Sequence, residues 1–150
     1  MHVTTRQVVE APATQAWAEV SDIENHVRWM ADAASITFVT EQRRGVGTQF
    51  DCVTRIGPLR TIDRMVVTGW EEGDAIEVQH RGLVTGEGRL SVAAAADAPD
   101  QRCVVSWTEQ LTFPWYLGGR LGAWLARPIF QRLWRANLRR LATLVQGRHT

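Results

Sequence analysis

Two apolar rhythms alternate along this chain, and the points where one gives way to the other lay out its elements. "TTRQVVEAP" alternates apolar and polar residues as a half-buried strand does, and it stops at Ala11-Pro12. "ATQAWAEVSDIENHVRWM" then sets Ala16, Trp17, Val20, Ile23, Val27 and Met30 three and four apart, which is the spacing of one helix face. Ser21-Asp22 reads as a break with a new N-cap, so the pattern predicts two short helices rather than one. After Trp29 the period returns to two. "SITFVT", "TQFDCVTRI", "RTIDRMVVTGW", "AIEVQHR", "VTGEGRLSVAA" and "CVVSWTEQLTF" are predicted strands, joined mostly by short turns such as "RRGVG", "GPL" and "EEGD". Pro114 ends the last of them, and "GGRLGAWLARPIFQRLWRANLRRLATLVQ" continues as one long helical pattern. Six meandering strands between a leading strand with its short helices and a closing helix predict the α+β class. That means an antiparallel sheet with its helices on one side. The 150 residues form a single domain, 1–150, without repeat or linker.

The same order carries a resemblance. "V-x-A-P…A-W" opens the first helix, "RWM" follows the second, "GVGTQF" enters a strand and "V-T-G-W-E-E-G" leaves one. In these features, over essentially the whole chain, the sequence resembles the START-related SRPBCC superfamily, the helix-grip proteins often described as polyketide cyclase/dehydrase-like. The resemblance implies a curved seven-stranded sheet gripping the C-terminal helix, with a hydrophobic small molecule held between them. It implies binding of a lipid-like or polyketide-like molecule. The alternative is a cyclase or dehydratase-type enzyme using the same cavity.

In the closing helix, Leu121, Trp124, Leu125, Ile129, Phe130, Leu133, Trp134, Leu138, Leu141 and Val145 read as one broad apolar stripe. It is expected to face the sheet, each large side chain contributing roughly 1.5–3 kcal/mol on burial. Pro128 lacks an amide hydrogen, so a kink or restart is expected there, with residues 115–127 as a separate lid.

No metalloprotease, dithiol, nucleophile-elbow or phosphate-loop motif is present, and nothing in the sequence points to a metal or cofactor. Candidate chemistry therefore rests on strand parity. In the last strand Val105, Trp107, Leu111 and Phe113 share a face with Glu109; in "AIEVQHR" Ile76 and Val78 carry His80 inward. His80 and Glu109 are the candidate acid/base pair. In the fold this chain resembles, one strand separates theirs, so across two spacings of about 4.8 Å they are expected to face one substrate without touching. The plainer reading is that both orient a ligand or pair internally, with Arg89 or Arg64 as possible partners. Trp29, Met30, Phe50, Cys52, Val78, Trp107, Leu121, Trp124 and Leu125 complete the expected ligand wall, whereas Trp17 and Trp70 read as core. Gly86 and Gly88 should leave room for a cavity of roughly 300–1,000 Å³.

Charge sharpens the picture at one end. Ten arginines accompany all sixteen acids up to Glu109; from Gln110 onward there are seven arginines and no acid, and the chain has no lysine. Arg132, Arg135 and Arg139 fall opposite the stripe. They are expected to meet something anionic beside the cavity, an acyl carrier protein or an anionic membrane surface, rather than nucleic acid. No apolar leader or membrane span is visible, and Cys52 and Cys103 match no redox or metal spacing, so a cytoplasmic protein with reduced thiols is expected.

Overall fold

Seven strands pair into one antiparallel sheet in the order β1-β7-β6-β5-β4-β3-β2. The computed structural model describes residues 1–149. Its elements are β1 (His2–Val9), α1 (Ala13–Val20), a 3-10 helix (Ile23–Arg28), β2 (Ala33–Phe38), β3 (Gln49–Ile56), β4 (Leu59–Glu71), β5 (Ala75–Arg81), β6 (Thr85–Ala94), β7 (Cys103–Thr112), a 3-10 turn (Trp115–Leu117) and α2 (Gly119–His149). β2 to β7 form a meander, as their short turns predict, and β1 closes the order by pairing with β7. The strand–short helices–six strands–long helix reading holds, including the break at Ser21.

The core lies between the sheet and the helices. Along β7, Cys103, Val105, Trp107, Glu109 and Leu111 are buried in strict alternation, so the parity read from the sequence is the parity of the fold. The C-terminal half of α2 covers them with Trp134, Leu138, Leu141 and Val145, all buried. Asn137 sits fully buried in this face: its Oδ1 accepts the Ala31 amide at 3.0 Å and its Nδ2 donates to Asp32 at 2.8 Å. A buried amide of this kind must be satisfied, and here it ties α2 to the chain entering β2.

Two expectations about the closing helix are corrected. α2 runs through Pro128 as one helix rather than restarting there. A proline inside a helix removes one amide, the one that would reach the carbonyl four residues earlier. That carbonyl belongs to Trp124, which is exposed, so water is at hand to satisfy it. The chain ahead of α2 is instead shaped by the 3-10 turn and by Gly118 in the left-handed region (φ 88°). Second, Leu121, Trp124, Leu125 and Ile129 do not face the sheet; all four are exposed. The first half of α2 is apolar on nearly every side, so spacing alone could not say which side is covered.

Among the described residues no helix is long and apolar enough to cross a membrane, and both cysteines are free and buried.

Candidate functional site

A pocket of about 220 Å³ lies between the inner face of the sheet and α2. Its wall is largely apolar and includes Met30, Phe50, Cys52, Val78 and Trp107 from the sequence reading, with Phe130 and Trp134 from α2. Trp29 is fully buried in the core beside it and does not reach the wall, and neither do the exposed Leu121, Trp124 and Leu125. Trp17 and Trp70 also lie outside the wall, both donating to Glu72, at 2.9 and 2.7 Å. The volume falls below the expected range because rings occupy the space: Trp107 and Trp134 stand 5.4 Å apart, and Phe130 stacks on Trp134 at 5.3 Å. The rim includes the partly exposed Leu59, Leu83 and Leu117, which places the mouth between two strand turns and the 3-10 turn before α2.

Among the polar residues of this wall, three charged side chains and an indole form one hydrogen-bonded group. His80 Nδ1 lies 2.6 Å from Asp63 Oδ2, and His80 Nε2 lies 3.0 Å from Glu109 Oε2. Trp107 Nε1–H donates to the remaining oxygen of Glu109 at 2.8 Å. All four residues line the pocket.

His80 and Glu109 therefore touch, contrary to the separation expected for them. β6 does lie between β5 and β7, but its inner face is bare at this level. Gly88 is the direct neighbour of Glu109 and Gly86 that of His80. A Cβ on Gly88 would stand 2.6 Å from a Glu109 carboxylate oxygen. The two side chains thus lean toward each other over a strand without side chains to hold them apart. Nor do Arg64 and Arg89 serve as partners: they pair with Asp51 and Glu77.

Asp63 is a third member that the His80–Glu109 pair does not announce, although strand parity carries a signal for it. "TIDRMVV" alternates, and Asp63 shares parity with Met65, the register partner of His80. Asp63 Oδ1 is buried without a hydrogen-bond partner and packs against Gly82. The pocket also contains His26, whose spacing from Ile23 puts both on the buried side of the 3-10 helix. His26 Nε2 donates to the Val20 carbonyl at 2.8 Å.

Electrostatics separate the two histidines. Burial pushes His26 down to about 4, only partly offset by the Val20 hydrogen bond, so it is neutral near pH 7. Burial alone would lower His80 as well. Its hydrogen bonds to Asp63 and Glu109, with the charges of both, outweigh that and raise it to about 10. His80 is accordingly an imidazolium donating from both nitrogens, with no lone pair free to act as a base. It can serve as a proton donor to a ligand that displaces one carboxylate. Among the described residues no cluster of three or more His, Cys, Asp or Glu side chains is placed to hold a metal ion.

A pH dependence follows from these opposite shifts. A histidine with a lowered folded pKa binds fewer protons than in the unfolded chain, so stability falls as pH drops from about 6.5 toward about 4. A histidine with a raised pKa contributes stability that is complete below about 6.5 and lost as pH rises through about 10. Thermal melts across this range should show the two histidines giving a maximum near pH 6.5. In His80→Gln the alkaline decline should flatten and the acid limb remain; an unchanged alkaline limb would contradict the assignment.

Residues 1–146 match the family model described as "Polyketide cyclase / dehydrase and lipid transport". The chain belongs to that family. No curated protein sequence matches it. Among solved structures, a conserved protein from Geobacillus kaustophilus aligns with TM-score 0.80 at 11% identity, covering 100% of this chain and 98% of that one. A START superfamily protein from Mycobacterium smegmatis aligns with TM-score 0.65 at 19% identity, covering 99% and 96%. A norcoclaurine synthase point mutant from Thalictrum, in complex with a transition-state analogue, aligns with TM-score 0.73 at 15% identity, covering 100% and 96%. At these identities the likeness concerns the fold, the helix-grip arrangement of curved sheet and C-terminal helix. Family membership fits hydrophobic ligand binding or a cyclase role without selecting a ligand.

Proposed function

We propose that this protein binds a small, mostly apolar molecule in the pocket between sheet and α2, oriented by the Asp63–His80–Glu109 group. The observation that carries this reading is the contrast within the wall: mostly aromatic and aliphatic side chains, and among its few polar positions one hydrogen-bonded charged group anchored on β4, β5 and β7. Such a combination gives burial for affinity and a polar anchor for orientation. Family membership supports the same class of ligand.

Trp107 and Trp134 are in the wall, so ligand entry should change tryptophan emission. Titration with fatty acids and with aromatic polyketide-like compounds, beside native mass spectrometry of protein from its own host, tests the proposal. Val78→Phe, which fills the pocket, should weaken binding at least about tenfold. No retained mass and no emission change with either ligand class would sink it.

A second reading is favoured by one feature. An imidazolium between two carboxylates can give a proton to a bound carbonyl and take it back, the chemistry of a cyclase or dehydratase-type enzyme. On that reading His80→Ala or Glu109→Gln lowers kcat by roughly 10²–10⁴. If the protein only binds, the same variants shift affinity and selectivity.

A further inference from the structure

The outward face of α2 changes character along its length. Leu121, Leu125 and Ile129 follow one another at four-residue intervals on the side away from the core, with Trp124 beside them. One turn further on, the same side carries Arg132, Arg135 and Arg139. The side chains are well exposed, Trp124 at 69% and Leu121 at 65%, and the preceding 3-10 turn adds Trp115 at 86% and Tyr116 at 59%. None of the three guanidinium groups has an ion-pair or hydrogen-bond partner among the described residues, and no acid occurs after Glu109. Leu117, in the same turn, belongs to the pocket rim.

A contiguous exposed apolar surface of this kind marks a docking site. Its chemistry selects the occupant. Indole and phenol rings beside leucines suit the boundary between headgroups and acyl chains, where an apolar body is buried and a polar edge stays wet. Arginines on the same side meet lipid phosphates, and an acid-free segment of one sign is drawn to an anionic surface. A second copy of the chain would bring two such acid-free basic segments together with nothing to offset them. We propose that this surface, from the 3-10 turn at Trp115 through the first half of α2 to Arg139, docks the protein on an anionic phospholipid bilayer with the pocket mouth toward the membrane. The docking does not depend on what the pocket holds.

The test is co-sedimentation of the full chain with vesicles of phosphatidylcholine, with and without phosphatidylglycerol, alongside tryptophan emission. Wild type should pellet with the anionic vesicles and its emission should shift to the blue. Arg132→Gln/Arg135→Gln/Arg139→Gln should weaken that binding by about two orders of magnitude, as three arginines near an anionic surface imply. Trp124→Ser/Leu125→Ser should lose the blue shift, leaving a fraction that added salt removes. These positions are exposed, so both variants should melt with the wild type. Several results would overturn the proposal. They are absence of wild-type binding, equal binding to neutral vesicles, or binding to an acidic acyl carrier protein with none to vesicles. A dimer abolished by Trp124→Ser/Leu125→Ser, without vesicle binding, would do the same.

Discussion

His80→Ala should destabilise the protein by about 3–5 kcal/mol, because it strips the buried Glu109 and the partly buried Asp63 of the cation between them. For a domain of this size that lowers Tm by about 6–20 °C. The magnitude comes from what is left behind. Glu109 keeps its Trp107 hydrogen bond, but the oxygen that faced His80 Nε2 loses its partner, as does Asp63 Oδ2. One Asp63 oxygen is already without a partner, so the loss falls on a group with no reserve. Urea unfolding at neutral pH measures the effect, and a change below about 1 kcal/mol would contradict a buried, charged network. Glu109→Gln is the informative companion. An amide oxygen can still accept from Trp107, but its NH₂ then meets the His80 N–H, donor against donor. The His80 proton should therefore be released at lower pH, a shift visible in its imidazole NMR signals. Replacing all three charged residues by leucine should be far milder than His80→Ala, since breaking a buried ionic group costs more than removing it whole. That ordering would indicate that the group serves the pocket's chemistry rather than the fold's stability.

Gly86→Ala should be comparably damaging by a different route, with an expected loss of about 2–6 kcal/mol from backbone strain and overpacking together. Gly86 has φ 144°, a region closed to side-chain-bearing residues, and a Cβ there would lie 1.9 Å from the Gln110 carbonyl oxygen on β7. Backbone cannot swing aside as a side chain can, so β6 and β7 must separate beside the pocket. Gly88→Ala makes the instructive contrast. Its added Cβ meets the Glu109 carboxylate, the end of a flexible side chain, at 2.6–2.8 Å. It should cost less stability but push Glu109 off His80 and reduce the alkaline pH dependence. If the two variants proved equally stable, the close β6–β7 approach at Gly86 would be wrong.

These two glycines also show where legibility stopped. Period-two alternation announced every strand because each has one face in the core, and a residue's parity then states its side. Parity put His80 and Glu109 inward, and would have put Asp63 there too. It could not bring His80 and Glu109 into contact. That contact requires β6 between their strands and no side chain on β6 at that level, which is a fact about three segments at once. The helix posed the opposite difficulty. Its second half has a polar side, so periodicity points Trp134, Leu138, Leu141 and Val145 to the core, where they are buried. In the first half spacing points Leu121, Trp124 and Leu125 to the pocket although they face outward, because an all-round apolar segment has no side that periodicity can reject.

The sequence by itself determined the element order, the antiparallel α+β architecture, the parity of the buried positions and the acid-free, arginine-bearing end. Each of these follows from local backbone geometry or from composition, which neighbours in the chain suffice to set. Only the tertiary structure decided that Asp63, His80, Glu109 and Trp107 form one hydrogen-bonded group and that the rings of Trp107, Phe130 and Trp134 shrink the pocket. It alone decided that the first half of α2 leaves its leucines and Trp124 uncovered. Those outcomes depend on side-chain reach across strands and on which helix face the sheet has room to cover. Both are distances between residues far apart in the chain, and no local pattern contains them.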